Sequence, residues 1–341
     1  MKNTRYSTIF LFAGQGAQYQ GMGAGLYRAE PVFKSWMDAL DQIPRQQGLG
    51  SVVNFLYGRP QQGSALKAGF GFDRILYSHP ALFMVQFSLA KTLIHYKVMP
   101  DCLIGASLGE YVALALAKVV SPRDMLRALI HHAGQIDRLC FPGGMAGVAD
   151  RPARFDRDPM LNENVSLAGI SSPDHFVISG SAKGMDMAMD YLKKTNTVFY
   201  PLPVPVGFHS PHIEPARAGW EKILKDLTDR SNGLNRPQMD IISCVTGQLL
   251  CPVDLDILVR IGATPVLFSK ALNFLALGLT QGPEPFSGFV NIYDLGPGGA
   301  MSGFVRQNKR LSGKIKIFRT LTRVKNEIRN LNKVKKEEIQ R

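Results

Sequence analysis

LIGASLGEYVALALA, residues 103–117, decides how the rest of the chain is read. The apolar run ending in Cys102, Leu103 and Ile104 reads as a buried strand, and Glu110 to Ala117 has the Ala and Leu content of a packed helix. Between them Gly105, Ser107 and Gly109 spell G-x-S-x-G. Glycines on both sides of a serine let the chain turn sharply from strand to helix, so that the hydroxyl stands above the sheet. The first helical amides, that of Leu108 among them, then point at whatever binds there. Such a turn makes Ser107 a candidate nucleophile and the Leu108 N–H one half of an oxyanion hole. The pattern is short and recurs by chance in Gly-rich chains; the strand before it and the helix after it give it weight.

With 341 residues, 45% of them hydrophobic, the chain can bury a core large enough for one big α/β domain or two unequal ones. Its net charge of +13 comes without a nucleic-acid reading motif. The charge therefore suits an acidic protein partner or an anionic cofactor, and nucleic acid is not expected. Cys102, Cys140, Cys244 and Cys251 lack metal-ligand spacing, so neither a metal site nor a disulfide framework is expected, and the thiols read as those of a reduced, cytoplasmic protein. The apolar segment Ile9 to Ala13 runs straight into GQG and is too short for a signal peptide. No run approaches the length that crosses a membrane.

Outward from the elbow, residues 7–13 read as a strand followed by the loop GQGAQYQGMG, residues 14–23, whose glycines permit close backbone approach. Leu26 to Leu40 has helical spacing, residues 48–71 read as a loose connection, and YSHPALFMVQFSLAKTLIHY, residues 77–96, as a buried helix with Ser78 at its N-cap. A further helix starts at Ser121 and runs through Ile136. From Met145 to Val206 the order is strand, loop, strand, turn, strand, helix, strand, which suits a small α+β unit inserted in a larger body. GFHSPHIEPA, residues 207–216, returns the chain to that body. DIISCVTG (240–247), ATPVLFSKALNFLA (263–276) and GFVNIYDLGPGG (288–299) read as strand, helix and strand. The predicted organisation is a large subdomain of residues 1–144 and 207–318, a small one of 145–206, and a basic tail, 319–341, that reads as a solvated helix or disordered end.

A serine needs a base, and His209 has the best context of the seven histidines, lying between a strand end and a helix start. His131, His132, His175 and His212 are rivals by sequence alone. No carboxylate stands out as a third member, which argues against an ordinary esterase and leaves a Ser-His dyad.

FLFAGQGAQ, YSHPALF, GASLGE, GFHSPHIEPA, TPVLF and DLGPGG, in this order from residue 10 to about 299, resemble the acyl-carrier-protein acyltransferases, the family of malonyl-CoA:acyl-carrier-protein transacylase. The resemblance implies an α/β-hydrolase-like body with a ferredoxin-like subdomain. It implies a nucleophile at Ser107, a base at His209, oxyanion-hole amides at Gln15 and Leu108, and a main-chain carbonyl near Ile261 that orients the histidine. It also implies a substrate pocket at His79, His132 and Phe208, no permanently bound cofactor, and substrates that arrive as thioesters on the phosphopantetheine of acyl-carrier proteins or on coenzyme A.

Two positions depart from the transacylase pattern. Malonyl-specific members carry an arginine 25 residues after the serine, where this chain has His132; Ala106 replaces the histidine usual before the serine. Arg127 lies more than a helical turn away. A neutral imidazole offers neither the fork nor the full charge of a guanidinium. Together with SHPA at residues 78–81, these features are similar to the discrete acyl hydrolases of trans-acyltransferase polyketide synthases. The expected activity is hydrolysis of acyl thioesters on carrier proteins. A trans-acting malonyl or other acyl transferase is the alternative, and a non-catalytic carrier-protein docking module is an alternative of another class.

Overall fold

All of TIFLF is buried because this strand is covered on both faces: Phe10 and Phe12 pack into one hydrophobic cluster, Ile9 and Leu11 into another. The computed structural model describes residues 6–58, 74–230, 233–280, 289–323 and 326–339. Among these, β1 (Thr8–Phe12), β2 (Cys102–Gly105), β7 (Asp240–Ser243), β8 (Val290–Asp294) and β9 (Ile315–Arg319) form a parallel sheet in the order β7-β2-β1-β8-β9. Leu103 and Ile241 join Phe10 on one face, with helices Ile75–His95, Leu108–Leu116 and Pro122–Leu139; Ile104 and Ile242 join Ile9 on the other, with helix Phe268–Thr280. Each such fully buried side chain contributes about 1.5–3 kcal/mol, so this three-layer body is where the stability lies.

The second sheet is antiparallel. Its strands are β3 (Gly143–Val148), β4 (Ser166–Ser172), β5 (His175–Ser181) and β6 (Phe199–Pro201), in the order β4-β5-β3-β6. Short helices Ala153–Arg157 and Pro159–Asn162 precede β4, and helix Ala182–Lys194 precedes β6, giving the β-α-β-β-α-β order of a ferredoxin-like unit. The chain enters and leaves it side by side: Cβ atoms on Gly143 and Gly207 would lie 2.4 and 2.7 Å from the Gly180 carbonyl oxygen. The edge strand β4 is tied to the body where Ile170 N–H donates to Val266 O and Val266 N–H to Ala168 O, both at 2.9 Å. The α/β fold with a small ferredoxin-like part is as the sequence predicts.

Several boundaries differ. The small sheet begins at Gly143, two residues before Met145, and TVFYPLPV yields a strand only at Phe199–Pro201. The buried helix starts at Ile75, so Ser78 lies inside it and is not its cap. Within the loose connection, Val52–Tyr57 is helical, capped by Ser51, and residues 59–73 lie outside the described residues. ATPVLFSKALNFLA is not one helix: Ala263 ends helix Leu255–Ala263, and the next helix begins only at Phe268 because Pro265 breaks continuity between them.

The basic tail is not a solvated end. Arg319 closes β9, and helix Glu327–Ile339 packs on the body through buried Leu331 and Val334. Its first residue, Glu327, accepts the N–H groups of Gly23 and Gly25 at 2.9 and 2.8 Å, which anchors the helix beside the GQG loop.

Candidate active site

Ser107 sits between Gly105 at the end of β2 and helix Leu108–Leu116, with φ 52° and ψ −119°. For a residue with a Cβ this backbone costs about 1–3 kcal/mol, and its surroundings hold it there. A Cβ on Gly109 would lie 2.2 Å from the Phe12 carbonyl oxygen, and one on Gly14 would lie 2.7 Å from that of Ala106. Only glycine lets the elbow and the GQG loop approach so closely. From the other side, buried Gln86 clamps the start of that loop: its oxygen accepts from Ala13 N–H at 2.7 Å and its amide donates to Ala13 O at 3.0 Å.

His209, also at positive φ (57°), faces the serine with Nε2 2.8 Å from Ser107 Oγ. Its Nδ1 lies 2.8 Å from the Thr264 carbonyl oxygen. A carbonyl can only accept, which assigns the proton to Nδ1 and leaves Nε2 as the acceptor for the serine hydroxyl. Burial pulls this imidazole down to about 4 against the opposing pull of the Thr264 bond, so it is neutral at pH 7. The carbonyl expected near Ile261 is therefore that of Thr264. Ile261 lies within helix Leu255–Ala263, whereas Thr264 has left the helix at φ −95° and ψ 159°, which turns its carbonyl off the helical direction.

The N–H groups of Gln15 and Leu108 carry no hydrogen bond to any described residue. The Gln15 side chain is held away by its bond to Ser78 Oγ at 2.6 Å. The two amides, one on the loop and one at a helix N-terminus, belong to residues that line one cavity with Ser107, and unbonded donors of this kind can stabilise developing negative charge.

Two cavities meet at Ser107. The smaller holds about 20 Å³, room for about one water, and lies among His79, Leu108, Tyr111, Leu129, His132 and Phe208. It gathers every pocket residue named from the sequence. His132 stacks on Trp220 at 4.2 Å, and His79 and Phe208 have ring centroids 5.5 Å apart. Burial pulls both His79 and His132 down to about 3, and for His132 the proximity of His79 adds to it, so this wall is neutral. Arg127 does not serve it, being paired with Asp124 at 2.7 Å.

The larger cavity holds about 330 Å³ between the two sheets, with Ser107 and His209 at its base. Sequence reading missed its other walls. His175 of β5 and Tyr200 of β6 line it, joined through Nε2 and the phenol oxygen at 2.6 Å, as does Phe304. No local pattern brings residues 175, 200 and 304 together; Thr264 and Gln86 were also missed, although Pro265 marks where helix must give way to a free carbonyl.

These buried groups set an acid limit on stability. His79 and His132 at about 3, and His175 and His209 at about 4, are neutral in the fold and regain a pKa near 6.5 on unfolding. Burial raises Glu110 to about 7 and Asp294 to about 6, which acts in the opposite direction. Between about pH 4.5 and 6.5 four imidazoles outweigh two carboxyls, so the unfolded chain binds more protons. Stability is kept above pH 6.5 and falls as the pH drops toward 4. The expected thermal midpoint declines from pH 6.5 to 5 in scanning calorimetry; a constant midpoint contradicts this assignment.

Residues 9–278 match the acyl transferase domain family. The chain belongs to that family. It is 32% identical over 326 residues to PksD of Bacillus subtilis, named a polyketide biosynthesis acyltransferase homologue, covering 96% of this chain and 95% of PksD. It is 34% identical over 297 residues to the polyketide biosynthesis protein ThaF of Burkholderia thailandensis, covering 87% of this chain and 24% of ThaF, so there the similar unit is part of a much longer protein. The malonyl-CoA:acyl-carrier-protein transacylase of Clostridium perfringens superposes with a TM-score of 0.77 at 23% identity, over 98% of this chain and 99% of that one, and shares its fold. The chain is thus an acyltransferase-family member whose relatives PksD and ThaF are named for polyketide biosynthesis.

Proposed function

We propose that the chain is an acyl-thioester hydrolase that releases acyl groups from acyl-carrier proteins in polyketide biosynthesis, through an acyl-enzyme on Ser107. The Ser107 oxygen attacks the thioester carbonyl as His209 Nε2 takes its proton, and the oxyanion receives the Gln15 and Leu108 N–H groups. The C–S bond then breaks, and His209 returns the proton to the departing phosphopantetheine thiol. In the second half His209 takes a proton from water, whose oxygen attacks the ester; the bond to Ser107 breaks, the serine is reprotonated and the carboxylic acid leaves. The thioester arm, of a carrier protein or of coenzyme A, arrives with the substrate, and a net charge of +13 suits an acidic carrier.

The observation that carries the reading is the neutral wall of the smaller cavity, where His79 and His132 stand beside Ser107. A malonyl carboxylate placed there would lose its hydration without gaining a cation. Neutral acyl groups avoid that cost, and an ester without an anchored carboxylate stays open to water. His132→Arg is expected to raise malonyl loading relative to acetyl by one to two orders of magnitude, since charge-assisted hydrogen bonds contribute ~1.5–3 kcal/mol. The ratio of malonyl to acetyl adducts by intact mass reads this directly, and an unchanged ratio counts against the neutral-wall argument.

A second reading, acyl transfer between thioesters, is favoured by the acyltransferase naming of PksD. It shares the first half-reaction and differs in whether a thiol or water takes the acyl group. Following the acyl group by intact mass with an acceptor carrier protein present separates the two.

A further inference from the structure

The larger cavity leads from Ser107 to a surface where Arg323 is exposed, and it has a peculiar charge pattern. Among its described lining residues there is no Asp, Glu or Lys, and Arg323 is the one permanent cation. The rest of the wall is largely apolar, as Met145, Val177, Leu202 and Phe304 exemplify. Arg323 has no carboxylate within ion-pair distance among the described residues. It is nonetheless placed: its guanidinium lies 5.5 Å from the ring centroid of Tyr19, whose hydroxyl donates to Thr322 O at 3.0 Å. Helix Ala300–Gln307 starts on the same wall at Ala300, adding the positive end of its dipole. Residue 323 lies beyond the stretch that matches the family, residues 9–278, so nothing in that match assigns it a role.

We propose that Arg323 is the anchor for the phosphate of the incoming phosphopantetheine arm. This rests on the reading of Ser107 as the acylated residue. A thioester held at Ser107 has two substituents, an acyl group and a long arm that must reach the surface, and two cavities flank the serine. The smaller one holds about 20 Å³ and cannot take the arm; the larger one, at about 330 Å³, can. An arm laid along that apolar wall leaves one anionic group near the surface, its phosphate, and a guanidinium free of carboxylates is the matching donor. The same phosphate chemistry is carried by coenzyme A and by a carrier protein.

The test is the rate of Ser107 acylation, followed by intact mass, from acetyl-phosphopantetheine, acetyl-pantetheine, acetyl-coenzyme A and acetyl-carrier protein. Arg323→Ala is expected to lower kcat/KM about five- to tenfold for the three phosphate-bearing thioesters, chiefly through KM, and to leave acetyl-pantetheine unchanged. Arg323→Lys should restore part of the loss, and added salt should shrink the difference. A loss confined to the carrier protein points to protein docking and overturns the phosphate assignment, as does an equal loss with acetyl-pantetheine or no loss at all. Acylation precedes the choice between water and acceptor, so a failed hydrolase reading leaves this ratio measurable. If no thioester acylates Ser107 in the unaltered enzyme, both proposals fall.

Discussion

Ser107→Ala is expected to abolish acyl-enzyme formation and to lower turnover by on the order of 10⁶, the scale on which removing a hydroxyl nucleophile acts in serine enzymes. Among the described residues, the only other hydroxyl-bearing ones lining either cavity are Ser171, Tyr111 and Tyr200. The Tyr111 hydroxyl is committed to the Leu258 carbonyl at 2.8 Å, and that of Tyr200 to His175. His209 Nε2 faces Ser107 Oγ, so no other hydroxyl has the base. Stability should move differently from activity. With φ 52° and ψ −119° at this position, Ser107→Gly relieves backbone strain while being equally inactive, and should unfold at or above the temperature of the unaltered chain. An adduct found on another residue of the Ser107→Ala protein contradicts the assignment.

His209→Ala is expected to lower acylation by about four to six orders of magnitude, because the serine loses its base while the Gln15 and Leu108 amides remain. His209→Gln keeps a polar side chain near Thr264 but cannot carry a proton between Ser107 and the leaving thiol, so it should be as slow. Since burial holds the imidazole down to about 4, kcat/KM for acylation should stay flat through pH 6.5, where an exposed histidine would begin to lose activity. Acylation that halves near pH 6.5 in the folded enzyme would place the working base elsewhere.

Much of this site was legible before any coordinates because its determinants are local. A serine between Gly105 and Gly109, after an apolar run and before Ala/Leu periodicity, can hardly be arranged otherwise, and the structure supplies the reason in the 2.2 Å that separates a Gly109 Cβ from Phe12 O. Non-local determinants were harder. The Thr264 carbonyl was placed three residues early because helix Leu255–Ala263 was not read, although an extended residue before Pro265 was the available signal. The C-terminal helix was hidden by its charge: Lys, Arg and Glu make up about half of residues 327–339, yet Ile328, Leu331 and Val334 repeat every three residues and form the stripe that packs. His175, Tyr200 and Arg323 reach one cavity only through the meeting of the two subdomains, which spacing along the chain does not encode.

The central claim is that water takes the acyl group from Ser107. The most direct measurement incubates the unaltered enzyme with acetyl-carrier protein and a second, distinguishable holo-carrier protein, and follows both by intact mass while quantifying free acetate. The account predicts that acetate appears in step with loss of the acetyl adduct, that the second carrier gains no acetyl mass, and that malonyl-carrier protein is cleared more slowly than acetyl. Acetyl or malonyl arriving on the second carrier in amounts matching its loss from the first, with little free acid, would contradict it.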